Sequence, residues 1–155
     1  MKKFSNNRDG AMLPLVAVVL VILFVAAALS VDVATMHLSR SELRTATDAA
    51  ARAAVEALGR EQSRGAAIAA AKRVAKANSV LSTGLTLEDS DISFGSSVQQ
   101  DDGSFSFANE VTPINSVRII GARQSDSPDG SVGLLFAPLF GASDFEPVQS
   151  ATATR

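Results

Sequence analysis

Side chains able to do chemistry are scarce in this chain. His37 is the single histidine, and there is no cysteine. Nucleophilic catalysis of the Ser-His-Asp kind needs a histidine held beside an activated hydroxyl, and no Gly-x-Ser-x-Gly elbow accompanies the many serines. A lone histidine has no ligand companions at helical spacing, so His37 reads as a surface or interfacial side chain. Asp89, Asp91, Asp101 and Asp102 are the densest acidic set. A calcium loop needs several oxygen ligands in a defined order with a closing Glu, and that order is missing, so these carboxylates read as loop and turn groups. No Gly-rich phosphate loop is present. The expectation is no catalytic residue, no metal site and no cofactor, in a structural or interacting protein that is not an enzyme.

With little chemistry to position, the elements themselves become informative. Residues 10–31, GAMLPLVAVVLVILFVAAALSV, hold no charge, and thirteen of these twenty-two residues are Leu, Ile, Val or Phe. As a helix they reach about 33 Å, close to the ~30 Å hydrocarbon core of a bilayer. Leu13, Leu15, Leu20, Ile22, Leu23 and Phe24 are the candidate lipid-facing residues. Pro14 fits a first helical turn, where a missing N–H matters least, so the helix is predicted to start near Leu13 or Pro14. A buried core helix is usually shorter and keeps a polar side. A cleaved signal peptide is the serious rival: Lys2, Lys3 and Arg8 form a positive n-region, and Ala26, Ala28 and Ser30 are small residues suited to a cut. Cleavage would leave an exported soluble binding module. The apolar run exceeds the ~7–15 residues of a signal h-region, which favours a retained anchor.

Charge then orients the span. Residues 1–9 carry a net +2, residues 32–76 a net +3 and residues 77–155 a net −7. The positive-inside rule keeps residues 1–9 in the cytoplasm and sends residues 32–155 outside the cytoplasmic (inner) membrane. An acidic outer part offers no basic patch, so no nucleic-acid partner is expected. The lipid bilayer is the expected partner of the span.

The helix is predicted to continue beyond the membrane. Neither Pro nor Gly occurs from Asp32 to Leu58, and seven Ala fall between Ala46 and Ala57; Ala is the best helix former. Arg44–Asp48, Asp48–Arg52, Arg52–Glu56 and Glu56–Arg60 are spaced for supporting ion pairs. Met36, Leu43, Ala46, Ala50, Ala53 and Ala57 make a seam of mostly small side chains. It can pack on this chain's own outer domain, or on other copies and partner subunits, because small residues let backbones approach closely. Gly59 is expected to end or hinge the rod. Ser63 is the N-cap of a second helix, Arg64 to about Ala77, stopped at Asn78.

Strand signals follow. Asp91–Val98 and Ser104–Ala108 flank a turn containing Asp102-Gly103, and residues 109–114 form a loop. Ser116–Arg123 is the strongest strand. Val132–Phe140 divides into a short strand and a helical turn, and Phe145–Thr154 ends the chain as a strand. The fold class is therefore α+β: a long N-terminal transmembrane and juxtamembrane helix, a second short helix, and a small antiparallel β-sheet with the helices on one face. The segments are 1–9 tail, 10–31 span, 32–78 Ala-rich helices and 79–155 acidic β domain.

The chain resembles the TadE/TadG-like Flp (tight-adherence) pilus-assembly proteins. The resemblance rests on Arg8-Asp9-Gly10-Ala11 ahead of the apolar run, on Asp32 at its exit, and on Glu42-Leu43-Arg44-Thr45-Ala46-Thr47-Asp48-Ala49-Ala50-Ala51. Asn115-Ser116-Val117-Arg118 is similar to a strand of that family. The resemblance implies a single-pass, pilin-like minor component of a bacterial surface appendage. Its partners would be other pilus-assembly membrane proteins or pilin-like subunits, with self-association through the Ala-rich helix as a further option. Pilin-type precursors usually carry Glu five residues after the processed Gly. Here that position is Leu15, which implies an unprocessed anchor. The metal-dependent adhesion of larger TadG-like proteins is not expected of these residues.

Overall fold

With no Gly or Pro between Leu15 and Leu58, nothing interrupts the helical ladder. The computed structural model, which describes residues 12–155, forms one helix there, α1 (Met12–Glu61), of 50 residues. At 1.5 Å per residue it is about 75 Å long. The basic tail, with Lys2, Lys3 and Arg8, lies outside the described residues, as do Gly10 and Ala11 at the start of the apolar run. Gly59 stays helical rather than ending the rod. The chain reverses at Gln62, whose φ is 50°, with the Gln62 N–H donating to Leu58 O at 3.1 Å. The left-handed residue sits three positions later than Gly59 because Ser63 must be free to start the next helix.

That helix, α2 (Arg64–Ala77), has the predicted N-cap: Ser63 Oγ accepts the Ala66 N–H at 3.4 Å. At the other end the Asn78 side chain donates to Val74 O at 2.8 Å and leaves the helix in an extended conformation. A hairpin of β1 (Ser79–Val80) and β2 (Thr83–Gly84) follows, turning through Leu81 and Ser82 at positive φ. This hairpin lacks the Asn-Gly signal of such turns. Its turn is held instead by Glu42 of α1, whose carboxylate accepts the Leu81 N–H at 2.7 Å.

The main sheet comprises β3 (Ile92–Gln99), β4 (Phe105–Asn109) and β5 (Ser116–Ala122). A second small pair, β6 (Val132–Gly133) and β7 (Asp144–Phe145), precedes the closing strand β8 (Val148–Thr154). The sheet order is β4-β3-β5-β8, antiparallel throughout. The expected single strand from Phe145 to Thr154 is broken before Val148, where Pro147 has no N–H for a ladder. The Asn115 side chain extends the β3–β5 pairing: its Oδ1 accepts the Ser97 N–H at 2.8 Å and its Nδ2 donates to Ser97 O at 3.2 Å.

Register places Ile92, Phe94, Val117, Ile119 and Ala151 on one face of the sheet, all buried. Both helices cover that face, and Leu43, Ala46, Ala50, Ala54, Ala67, Ala71, Val80, Leu85 and Leu87 complete the core. The other face is mostly open, with Arg118 lying over the Phe107 ring at 4.2 Å. Alanines on both helices let the backbones approach each other closely, and one glycine does the same for the sheet. A Cβ on Gly121 of β5 would fall on Thr47 Oγ1 of α1, with Leu43 and Leu85 close by. Replacing Gly121 by Ala should force α1 and β5 apart, and overpacking of this kind costs about 1–3 kcal/mol. Thermal unfolding of the detergent-solubilised chain should show a lowered midpoint, while Gly133→Ala, at an open position, should leave it nearly unchanged.

Candidate functional site along the apolar span and helix seam

Helix α1 changes character along its length. Its lower part is apolar all round. The most apolar 18-residue window has a mean hydropathy of 3.0, and none of it is buried against the rest of the chain. It is long and apolar enough to cross a membrane. Leu13, Leu15, Leu20, Ile22, Leu23 and Phe24 are all exposed, from 48% at Leu20 to 81% at Leu13. The reading as a buried core helix is therefore excluded by placement. The few hydroxyls near the exit are satisfied locally: Ser30 Oγ donates to Ala26 O at 2.8 Å and Thr35 Oγ1 to Val31 O at 3.0 Å.

Above the span the helix becomes one-sided. Among the seam residues Leu43, Ala46, Ala50 and Ala57 are buried, while Met36 and Ala53 are half-buried. The rest of the buried stripe consists of Ser39, Thr47, Ala51, Ala54, Val55 and Leu58, none of which the spacing singled out. It faces this chain's own α2, β5 and β8. A row read from Met36 therefore runs toward one flank of the contact face, whose centre lies about 50°, or half a residue step, further round. Of the four ion pairs expected on the exposed side, Arg44–Asp48 forms at 4.0 Å and Glu56–Arg60 at 3.3 Å.

The junction between the two regimes is Asp32. It is 97% buried, and its carboxylate accepts four hydrogen bonds from three consecutive backbone N–H groups. Leu135 donates to Oδ1 at 2.9 Å, Phe136 to Oδ1 and Oδ2 at 3.2 and 3.0 Å, and Ala137 to Oδ2 at 2.6 Å. These donors belong to the loop between β6 and β7, where a 3-10 turn, Ala137–Phe140, ends at Gly141 with φ 87°. The pinned loop lies beside the last turns of the span. Together Phe24, Val25, Ala27, Ala28, Val31, Phe136, Leu139 and Phe140 line an open apolar groove of about 400 Å³. The base of the loop is fixed as well, since the Arg40 guanidinium lies 4.7 Å from the centre of the Phe145 ring. The sequence marked Asp32 only as part of a family pattern and gave it no partner. The available signal was Ser131–Ser143, thirteen residues without a charge inside an otherwise acidic domain.

The remaining chemical candidates are spread out and engaged in local structure. His37 is exposed on α1. Asp89 pairs with Lys72, and Asp91 accepts the Glu88 N–H at 2.8 Å. Asp102 accepts both the hydroxyl and the N–H of Ser104, and these two bonds hold its carboxyl below the usual carboxylate range. The eight residues of β3 separate the first aspartate pair from the second, so the four do not converge. Among the described residues no three His, Asp or Glu side chains stand close enough to hold a metal ion.

Residues 10–63 match the family model described as Flp pilus-assembly TadE/G-like, in agreement with the resemblance read from the sequence. The match covers the apolar stretch and all of the described α1, including Asp32, Glu42 and Leu43. Comparison with curated proteins and with solved structures gives no match.

Replacing Asp32 by Ala should release the loop. A charge-assisted hydrogen bond contributes roughly 1.5–3 kcal/mol. Amide exchange at Leu135, Phe136 and Ala137 should therefore accelerate by at least about tenfold, with the β3 and β5 amides unchanged. Equal acceleration across the sheet would mean that Asp32 supports the whole fold rather than this contact.

Proposed function

We propose, on the premise that residues 10–63 carry the TadE/G-like pilus-assembly module, that this chain is a membrane-anchored, non-catalytic structural or assembly component of a Tad-type pilus system. The observation carrying this reading is that one unbroken helix passes from a fully exposed apolar half into the core of a folded domain. In water the exposed half would leave some twenty apolar residues unburied; in a bilayer it is matched to its surroundings.

The segments follow from that anchor. Residues 1–9 are a cytoplasmic tail, 10–31 a single span, 32–78 the Ala-rich helices and 79–155 an acidic domain, the last two facing the periplasm or the cell exterior. The basic tail supports this orientation. Retention of the span, rather than cleavage as a signal peptide, is supported by the packing at its end. A cut after Ala28 or Ser30 would remove turns of α1 that Phe136, Leu139 and Phe140 lie against. Partners among pilus-assembly membrane proteins or pilin-like subunits would meet the span and the half-buried edge at Ala49 and Ala53. The stripe through Leu43, Ala46 and Ala50 is already taken by this chain's own domain. Self-association would use the same free surfaces. The carboxylates engaged in turns and caps support a role without catalysis.

The anchor is tested by Leu20→Arg, which places a charge near mid-span at a cost of roughly 2.5–3.5 kcal/mol on the insertion scale. The variant should be lost from the membrane fraction and should fail to restore surface filaments to a strain lacking the wild-type chain. Normal membrane retention would reject the anchor. Normal filament number in the deletion strain would reject the pilus role. Orientation can be read with single cysteines in this cysteine-free chain: a membrane-impermeant maleimide added to intact spheroplasts should label Ser90→Cys and spare Ser5→Cys.

The seam separates two uses of α1. Ala50→Leu should destabilise the chain's own core, whereas Ala53→Leu should leave thermal stability within about 0.5 kcal/mol and reduce recovery of pilus-assembly partners on crosslinking in native membranes. Unchanged crosslinking by Ala53→Leu would remove that edge from the interface.

A further inference from the structure

The loop pinned by Asp32 has the properties of a segment that enters lipid. From Ser131 to Ser143 it carries no charge, and Leu135, Leu139 and Phe140 are 71%, 79% and 60% exposed. Solvent exposure of three large apolar side chains on one short loop has no packing purpose within the chain. The location of Leu139 and Phe140 supplies one, because with Phe136 they flank α1 between Phe24 and Val31, on the apolar side of Asp32. Twenty residues from Met12 to Asp32 rise about 30 Å, the thickness of the hydrocarbon core. Phe24 lies eight residues below Asp32, or about 12 Å down the helix axis. The tip of the loop therefore reaches about 10 Å into the outer leaflet, near the depth taken by interfacial apolar segments.

The backbone N–H groups go far toward the stricter requirement. Irregular chain at membrane depth is tolerated only if its N–H and C=O groups find partners within the protein. Here Leu135, Phe136 and Ala137 donate to Asp32. Leu134 donates to Ser143 O, Leu139 to Phe136 O, Gly141 to Pro138 O and Ala142 to Ala137 O. Pro138 has no N–H to satisfy. The buried carboxylate thus does for this loop what water would do for an ordinary one.

We propose that Leu135–Phe140 is a second membrane contact: a wedge that inserts Leu135, Leu139 and Phe140 among the acyl chains of the outer leaflet and holds the acidic domain against the membrane surface. The groove between the wedge and α1 is then filled by lipid chains. This inference rests on the membrane anchor proposed above, and the test keeps the two apart.

The chain has no Trp, so single tryptophans report position directly. Full-length Leu139→Trp and Phe140→Trp are reconstituted into vesicles of phosphatidylcholine and phosphatidylglycerol containing lipids brominated near the ester or near the chain end. Leu20→Trp serves as the span control and Ile120→Trp, on the open sheet face, as the aqueous control. The expected result is blue-shifted emission at positions 139 and 140, quenching by the brominated lipids, and protection from acrylamide relative to position 120. Quenching by acrylamide without quenching by lipid would put the tip in water and overturn the wedge. Shielding from both quenchers would also overturn it, and would assign the groove to a second copy or another protein. Deep quenching at position 20 in either of those cases would leave the anchor standing. Acrylamide quenching at position 20 would overturn the anchor, and the wedge with it. Adding Asp32→Ala to Leu139→Trp should shift the emission back to the red; an unchanged spectrum would overturn the role given to the carboxylate.

Discussion

The structure depends on one carboxylate placed where a helix changes its surroundings. Below Asp32, α1 is apolar on every side; above it, one face packs into a protein core. A charged group at such a boundary is expensive unless its lone pairs are filled. Asp32 fills them with three backbone donors from a loop more than a hundred residues away in sequence. The exchange works in both directions. The loop obtains partners for N–H groups that its irregular path leaves free, and the carboxylate is held at this boundary with no opposing cation among the described residues. The contact also fixes the loop against the span, since the three donors are consecutive and leave little freedom of rotation.

The second constraint is thinness. One rod carries the exposed apolar half and is also the central helix of a small domain, and that domain is built on alanine rather than on large side chains. Ala46, Ala50, Ala51 and Ala54 are essentially fully buried in α1, and Ala67, Ala71 and Ala75 in α2. Alanine contributes little burial per residue, but it forms helix well and brings backbones close. Gly121 carries the same logic into the sheet, where Thr47 occupies the space a side chain would need. Thr47 in turn satisfies its own hydroxyl on Leu43 O at 2.7 Å. Leu43, Leu85, Val117 and Ile119 then provide the larger buried surfaces.

Local signals were legible in the sequence, and long-range ones were not. The uncharged run, the missing Gly and Pro, the Ser63 cap and the Asn78 stop each act within one or two turns, and α1 and α2 follow them closely. The alternating residues of β3 and β5 were similarly readable. The exact packing face was not, because an Ala-rich helix carries almost no contrast between its faces; the true stripe includes Ser39 and Thr47, whose hydroxyls look polar until their bonds to the preceding turn are seen. The β1–β2 turn was invisible because Leu81 and Ser82 adopt positive φ without glycine, held by Glu42 from another element. The partners of Asp32 were invisible for the same reason. Glu42 and Asp32 both stood out as parts of a family pattern, and in both cases the carboxylate caps backbone N–H groups of a distant turn.

That shared use of acidic residues bears on how the head is held relative to the span. Glu42 lies ten residues beyond Asp32, about 15 Å up the same helix, and each fastens a different turn of the domain onto α1. Arg40 adds a third point through the Phe145 ring. Three attachments along one continuous helix leave no hinge between the apolar half and the folded domain, in contrast to a span joined to its head by a linker. Rotation or tilt of the apolar half must then move the domain as a body. On the proposed reading, a component docked laterally through that apolar half would hold its acidic domain at a fixed angle to neighbouring subunits, which is a geometric requirement for an ordered assembly and is of no use to a freely tethered binding module.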